Sequence, residues 1–429
     1  MEALLILVLL FVLLGIGLPV AWSFAGVVAA MVWYYDVNLN TLMLQGFRSL
    51  NSVILLALPL FILAGYLMDA GGIARRLVTF IEMLIGKRKG GIGGAMVGAS
   101  GVFGAMAGTA SAAVAAIGTL MIDPMEQRGY PRGYSAALLG ISSLIGILIP
   151  PSITMILFAV ATQQSVAACF AASIVPGLML MVGLMIYNRA QIGRRITEIA
   201  MDHGYTPRER VGVTVKSLPA LFLPFLIIGG IYGGVFTPTE AAAVAVVAAV
   251  LIGIFVYRDM TLAKLRDATL AAAETTGSIV LILLFSFLIG RILVSERIPQ
   301  ELTEWVSSMV TDPMAIMLSV SAALIILGAI IDDVTITVVV APLLLPLMQS
   351  VGVDPVHFAA IVATSVVIGA NSPPMAPLLF MACRISKVSV QHAIAPALRL
   401  ILWVALPVMM LTVFIPALSL ALPRWLGLM

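Results

Sequence analysis

The chain has 429 residues, of which 62% are apolar and only 10% charged, with a formal net charge of +3. Its mean hydropathy is +1.14. A soluble domain carries about 25% charged residues, so this composition excludes an ordinary water-facing surface and points to a bundle of membrane helices. The positive excess does not describe a nucleic-acid patch. Of 23 Lys and Arg residues, 18 fall in five stretches, 75–89, 128–132, 189–216, 258–266 and 384–387, which connect apolar segments. Basic residues of membrane proteins concentrate in cytoplasmic loops. Cys169 and Cys383 stand in apolar runs without paired spacing, and His203, His357 and His392 are scattered. Neither set suggests a disulfide framework or a zinc site.

A helix needs about 20 apolar residues to cross a bilayer. Runs of this kind lie near 1–34, 51–69, 135–162, 167–188, 217–236, 238–256, 269–295, 356–383 and 400–422. The first lacks a basic leader region and a small-residue cleavage site, so it is expected to be a membrane segment rather than a signal peptide. Gly15, Gly17 and Pro19 can divide it into two short spans. Thr237-Pro238-Thr239-Glu240 reads as a helix start, with Thr237 capping and Glu240 near the positive end.

Two further apolar stretches, 92–122 and 313–348, do not behave as single crossings. The loops around 75–89 and 124–134 are both basic, yet 33 uncharged residues separate Lys89 from Asp123. That segment must enter and return on one side, as a re-entrant hairpin. Gly and Ala fill 16 of the 31 positions from 92 to 122, which permits close helix packing. The bend is expected near Ala107-Gly108-Thr109. In the second half the same count places 313–348 on the opposite side. Superposing the halves at an offset of 223 residues sets Pro150-Pro151 over Pro373-Pro374, Gly129 over Gly352, Ser142 over Ser365 and Gly146 over Gly369. The expected fold is therefore an all-α polytopic membrane protein of two inverted-topology repeats, 1–215 and 216–429. Each holds a re-entrant hairpin and a transmembrane helix broken at a Pro-Pro pair. Amphipathic stretches at 73–89 and 296–310 precede the hairpins and are candidate interfacial arms.

Two adjacent prolines inside an apolar run break a helix and free backbone carbonyls on one side and amides on the other. A hard cation such as sodium suits the carbonyls, and a carboxylate suits the amide end. The polar neighbours are small and neutral: Ser142, Ser143 and Ser152 in one half, Ser365, Asn371 and Ser372 in the other. Such oxygen ligands match an alkali cation rather than a transition metal. Asp332 and Asp333 are adjacent acids inside an apolar run, an expensive placement that marks a functional position unless they face water at a shallow tip.

FGAMAGTASAAVAAIGTL at 103–120, GYPRGYSAALLGISSLIGILIPPSI at 129–153, GGVFTPTEAAAVAVV at 233–247 and GANSPPMAPLLF at 369–380 together carry a family resemblance. In order and spacing they resemble the large membrane subunit of tripartite ATP-independent periplasmic (TRAP) transporters, over essentially the whole chain. The resemblance implies a multi-pass protein of the bacterial inner membrane, sodium-coupled uptake of small organic acids, and an elevator mechanism. It also implies a small membrane subunit and a periplasmic substrate-binding protein as partners, and no cofactor beyond the coupling ions. Carried over by motif, it implies sodium ligands at Gly104, Gly108, Thr109, Gly146 and Ser152 in one half. In the other half they are Gly328, Gly369, Ser372 and Met375. Substrate is then expected near Thr109, Ser111, Asn371 and Asp333. Many members carry Ser-Gly-Ser at the first bend, where this chain has Ala107-Gly108-Thr109, and Ala107 offers no hydroxyl.

Other functions fit less well. An independent carboxylate carrier of the same superfamily shares the architecture but not these motifs. A proton-translocating respiratory subunit needs ionisable residues deep in successive helices, and no lysine lies inside any expected span. An intramembrane enzyme needs a nucleophile with a base or a metal, and the serine-rich breaks have no histidine beside them in the sequence.

Overall fold

Inside a bilayer every peptide group must be satisfied by the chain itself, so apolar runs become helices. The computed structural model describes residues 2–85, 89–194, 196, 198, 205–373 and 376–429. Among these it is helical apart from turns and one isolated bridge between Ile192 and Ile196. Seven helices are long and apolar enough to cross a membrane, and the bent pair Arg132–Leu148 and Ile153–Thr162 makes an eighth.

The first run divides at its glycines and proline into Glu2–Gly15 and Val20–Tyr34. A helix at Leu39–Leu50 follows, which hydropathy did not indicate. Asn38 caps it by accepting the Thr41 amide at 3.1 Å, and Leu42 and Gly46 form its buried face. After the span Val53–Ala70, the first arm is a helix, Ile73–Ile85, burying Ile73, Leu77, Val78 and Ile81. Residues 86–88 of that arm lie outside the described residues. The second arm is also helical, Ile298–Met309.

Three spans differ from expectation. Pro207–Tyr232 starts ahead of 217–236, closed by a capping box between Thr206 and Glu209. Leu262–Ser295 starts ahead of 269–295 and runs 34 residues, about 51 Å at 1.5 Å per residue. The last run, expected at 400–422, is displaced: a continuous span covers Val390–Phe414, and a separate helix covers Ala417–Trp425. Pro416 stands at the N-cap of that final helix, where its missing amide costs no bond. Hydropathy could not detect this break, because both sides of it are equally apolar. The Thr237–Glu240 start forms as expected, with Glu240 N–H donating to the Thr237 hydroxyl at 3.3 Å and Thr237 N–H to the Glu240 carboxylate at 2.8 Å.

Direct contacts gather the basic loops at one end of the bundle. Arg75 and Arg76 both pair with Asp259, Arg75 at 3.2 Å, and Arg76 also stacks 4.1 Å from the Tyr257 ring centroid. Burial pushes the Asp259 carboxyl up, but the two guanidiniums outweigh it and hold it below the usual carboxylate range. Arg128 pairs with Glu82 at 2.6 Å, Gly90 N–H donates to Glu198 at 2.7 Å, and Arg132 donates to the Ser386 carbonyl at 2.9 Å.

The first hairpin returns to this same end. Asn188, near the end of the long helix Val166–Gln191, donates to the Gly90 carbonyl at 2.8 Å and accepts from the Tyr134 hydroxyl at 3.1 Å. It thereby joins the residue that opens the hairpin to the start of the helix that follows it. The second broken helix begins at the opposite end, where Val356 and Ala360 pack against Ala168 and Ala172 at the start of Val166–Gln191. The two broken helices therefore enter the bundle from opposite ends.

The first hairpin arm, Gly91–Ala107, is buried at every position except Val102. Small residues make that possible. A Cβ on Gly104 would lie 2.6 Å from the Gly146 Cα, so the hairpin crosses the first broken helix backbone to backbone. The second half repeats the crossing, with a Cβ on Gly369 falling 2.6 Å from the Gly328 Cα. Replacing Gly104 by Ala is expected to destabilise the protein by roughly 1–3 kcal/mol through overpacking. Gly277→Ala, with nothing within 4 Å of its added Cβ, serves as the control. It should leave stability unchanged or raise it by about 0.5–1 kcal/mol. Thermal unfolding of both variants in detergent checks the pair, and equal melting temperatures would remove the crossing as a constraint.

Candidate functional site

Each hairpin tip is set by a specific backbone turn. In the first, Gly108 ends Gly91–Ala107 in the left-handed region at φ 67, and its N–H returns to the Gly104 carbonyl at 2.8 Å. Thr109 then caps Ala110–Gln127, its hydroxyl accepting the Ala112 amide at 3.3 Å. The bend thus falls at the expected residues. The span Val53–Ala70 touches it, since a Cβ on Gly65 would stand 2.9 Å from the Ala107 Cα.

The tip closes on the first helix break. Arg132–Ser143 and Ile145–Leu148 lead into it, and Ile153–Thr162 leaves at 44°. The Ile153 amide donates to the Gly108 carbonyl at 3.3 Å, and buried Ser152 accepts the Met155 amide at 3.3 Å. The sequence left this amide end open for a carboxylate. In the structure, the hairpin tip and Ser152 occupy two of its donors. Ser142 and Ser143 are buried too, bonding Ser100 at 3.2 Å and the Gly140 carbonyl at 2.8 Å. They tie helix to hairpin and helix to itself.

The second hairpin rises through Pro313–Gly328, turns at 329–332 and descends as Asp333–Ser350. Asp332 caps the descending arm, accepting the Thr335 amide at 3.2 Å and its hydroxyl at 2.6 Å. Asp333 reaches across the molecule instead, accepting the Thr154 hydroxyl at 2.9 Å. Thr154 is 1% exposed and follows Ser152 at the first break. The acid pair is therefore divided between two tasks, and Asp333 points into protein rather than into water at a shallow tip.

The second break runs from Gly369 to Pro377. Pro374 and Met375 lie outside the described residues, so the expected role of Met375 and the second member of the Pro-Pro pair have no structural account. Before the break the chain tightens: Ser372 N–H donates to the Gly369 carbonyl and its hydroxyl to the Ile368 carbonyl, both at 2.8 Å. The Ile368 carbonyl also accepts the Asn371 amide at 3.3 Å, which engages both of its lone pairs. Beyond the break, Ala376 holds a left-handed backbone at φ 34, and no side chain caps Pro377–Ile385. Among the described residues the helix after the second break therefore has no side-chain cap, where the helix after the first has Ser152.

Asn371 is fully buried and donates to the Gly140 carbonyl at 3.3 Å, while its Oδ1 has no hydrogen-bond partner. An unmet acceptor in such a position is costly. Ser365, also buried, has an unpartnered hydroxyl. Ser111 differs from the rest: it is exposed on the first turn after the bend. Both hairpin tips thus meet at residues 151–154, and Asn371 joins the second break to the first broken helix. Among the described residues no cluster of three His, Cys, Asp or Glu side chains could hold a metal ion. Sequence reasoning missed two connections. One is Thr154, an unremarkable threonine in an apolar helix. The other is His357, whose Nδ1 lies 2.6 Å from Ser419 Oγ and fixes the final helix to the second broken one.

A bundle of this kind, with two hairpins closing on two broken helices, defines a polytopic transporter rather than an enzyme. The chain belongs to the family described as Tripartite ATP-independent periplasmic transporter, DctM component, which it matches over residues 7–418. It is 36% identical over 391 residues to the C4-dicarboxylate TRAP transporter large permease protein DctM of Pseudomonas aeruginosa, covering 91% of each chain. It is 32% identical to the 2,3-diketo-L-gulonate TRAP transporter large permease protein YiaN of Escherichia coli, covering 98% of this chain and 100% of that one. It is also 32% identical to the sialic acid TRAP transporter permease protein SiaT of Haemophilus influenzae, covering 94% of this chain and 65% of that longer one. Among solved structures it resembles the YdaH transporter of Alcanivorax borkumensis with a TM-score of 0.63, over 88% of this chain and 87% of that chain. At 11% identity that likeness concerns the fold. The protein is accordingly a multi-pass inner-membrane permease.

The Thr154–Asp333 contact generates a double-mutant test. Thr154→Val and Asp333→Leu are expected to couple by about 0.5–3 kcal/mol in stability, because either replacement removes the hydrogen bond between them. A thermal-unfolding cycle of the two single variants and the double variant measures this. Additive losses would show that the two side chains act independently.

Proposed function

We infer that the chain conducts a small organic acid across the inner membrane, coupled to sodium, after delivery by a periplasmic binding protein. The observation that carries this reading is the meeting of both hairpin tips at the first helix break, through Gly108 to Ile153 and Thr154 to Asp333. It places backbone ends and small oxygen ligands together inside the bundle. One sodium site then uses Gly104, Gly108, Thr109, Gly146 and Ser152, and the other uses Gly328, Gly369, Ser372 and Met375. Backbone carbonyls dominate both sets, which suits a hard alkali cation. Substrate lies among Thr109, Ser111, Asn371 and Asp333. The uncapped amides after the second break supply the positive end that a carboxylate needs. The relatives' named substrates, a C4-dicarboxylate, a diketogulonate and a sialic acid, are all organic acids.

In this reading the halves 1–215 and 216–429 are inverted repeats. The hairpins and broken helices move as one body against Val53–Ala70 and the other peripheral spans, in an elevator motion. A small membrane subunit covers part of the apolar outer face, where Phe222, Phe225 and Phe255 are exposed.

Thermal stability in sodium, potassium and choline chloride at matched ionic strength tests the coupling. Sodium alone should stabilise the protein saturably, by about 2.7 kcal/mol at a hundredfold excess over its dissociation constant. Ser372→Ala should move the half-maximal sodium concentration upward while leaving the potassium baseline in place. Equal stability in the three salts would overturn sodium coupling and leave the proton as the next candidate.

A further inference from the structure

A cavity of about 550 Å³ opens at the basic end of the bundle, and none of its lining residues belongs to either helix break. Its walls come from the start of the first broken helix, the end of Val166–Gln191, and the turn that joins Pro377–Ile385 to Val390–Phe414. Arg132, Lys387, His392 and Arg399 line it, and no Asp or Glu is among its described lining residues. Arg132 is held in place from outside the cavity, by Asp123 at 3.0 Å, Glu126 at 2.6 Å and the Ser386 carbonyl at 2.9 Å. Lys387 and Arg399 have no ion pair among the described residues. Arg399 commits only its Nε, to the Ala395 carbonyl at 3.0 Å. The terminal guanidinium nitrogens are left to another acceptor. Two cations on this wall, Lys387 in the turn and Arg399 in the helix after it, are thus left without a balancing acid among the described residues, which suits an anion.

The surface beyond the cavity says which anion. Leu402 and Trp403 lie three and four residues after Arg399, in the π-helical turn Ile401–Ala405, and are 55% and 66% exposed. Leu398 beside Arg399 is 46% exposed. A soluble anion would use only the cations. A phospholipid would use the cations for its phosphate and this apolar strip for its acyl chains. The basic end is the end that faces the cytoplasmic leaflet, whose anionic lipids attract Lys and Arg near the surface.

We propose that this cavity binds the headgroup phosphate of an anionic glycerophospholipid through Lys387, Arg399 and His392, with the acyl chains lying along Leu398, Leu402 and Trp403. The site sits on the part of the chain that carries both broken helices, so the lipid would anchor that part to one leaflet. The proposal is independent of sodium coupling and of the transported acid.

Native mass spectrometry of the full chain in detergent tests it, with dioleoyl phosphatidylglycerol, dioleoyl phosphatidylcholine and glycerol 3-phosphate as probes. Phosphatidylglycerol is expected to bind saturably and the other two far more weakly. Lys387→Gln with Arg399→Gln should weaken phosphatidylglycerol binding about twenty-five-fold, two surface cations contributing about fivefold each. Lys387→Gln alone, at an exposed side chain, should weaken it about fivefold and carries the test if the double variant does not fold. Arg75→Gln, elsewhere on the basic end, should leave it unchanged. Equal binding of phosphatidylcholine, or undiminished binding in the Lys387 variant, would overturn the proposal. Glycerol 3-phosphate binding as tightly as the lipid would overturn it in favour of a soluble phosphate ligand.

Discussion

A peptide group inside a bilayer has no water to turn to, so wherever a helix breaks, another part of the chain must meet its exposed ends. That constraint organises this molecule. The first break is closed by the first hairpin, whose Gly108 carbonyl takes the Ile153 amide. The hairpin can reach it only because Gly104 and Gly146 let two backbones touch. Burial of nearly the whole Gly91–Ala107 arm follows from the same contact. So does its glycine and alanine content, since larger side chains would hold the helices apart.

The two breaks are alike in plan and different in chemistry. The first is closed on its amide side by the hairpin tip and by Ser152, and it receives Asp333 from the other half through Thr154. The second folds Ser372 back on its own carbonyls and leaves the following helix without a side-chain cap. Among the described residues, then, the two breaks differ in whether a side chain caps the helix that follows. Asn371, in the second break, packs against Gly140 of the first broken helix, and its buried Oδ1 has no partner among the described residues.

The outer parts of the molecule follow different rules. Pro207–Tyr232 and Pro238–Val256 start with capping boxes and present exposed phenylalanines, as helices that face lipid or a partner subunit do. The basic loops meet at one end through short ion pairs, Arg128 with Glu82 and Arg132 with Glu126. There the charges that set orientation also hold the hairpin base and frame the cationic cavity.

Much of this was legible in the residues. Composition alone determined a membrane bundle, because so few charges cannot cover a soluble surface. The basic stretches flanking 92–122 determined a re-entrant hairpin, since two loops of one sign belong on one side. Glycine at 108 marked the bend, because it takes a left-handed backbone without strain. The motifs from 103 to 120, 129 to 153, 233 to 247 and 369 to 380 carried the family. Other features had no local signal. The break at Pro416 lies between equally apolar segments, and the amphipathic helix Leu39–Leu50 is too short to stand out in hydropathy. Only the tertiary structure decided that Asp333 bonds Thr154, 179 positions away in sequence, and that Ser152 is occupied as a cap. It also decided that Lys387 and Arg399 share a cavity with Arg132. Periodicity and charge act along the chain and can be read from it. The partner of a buried polar group is chosen by packing between segments far apart in sequence, which no local pattern encodes.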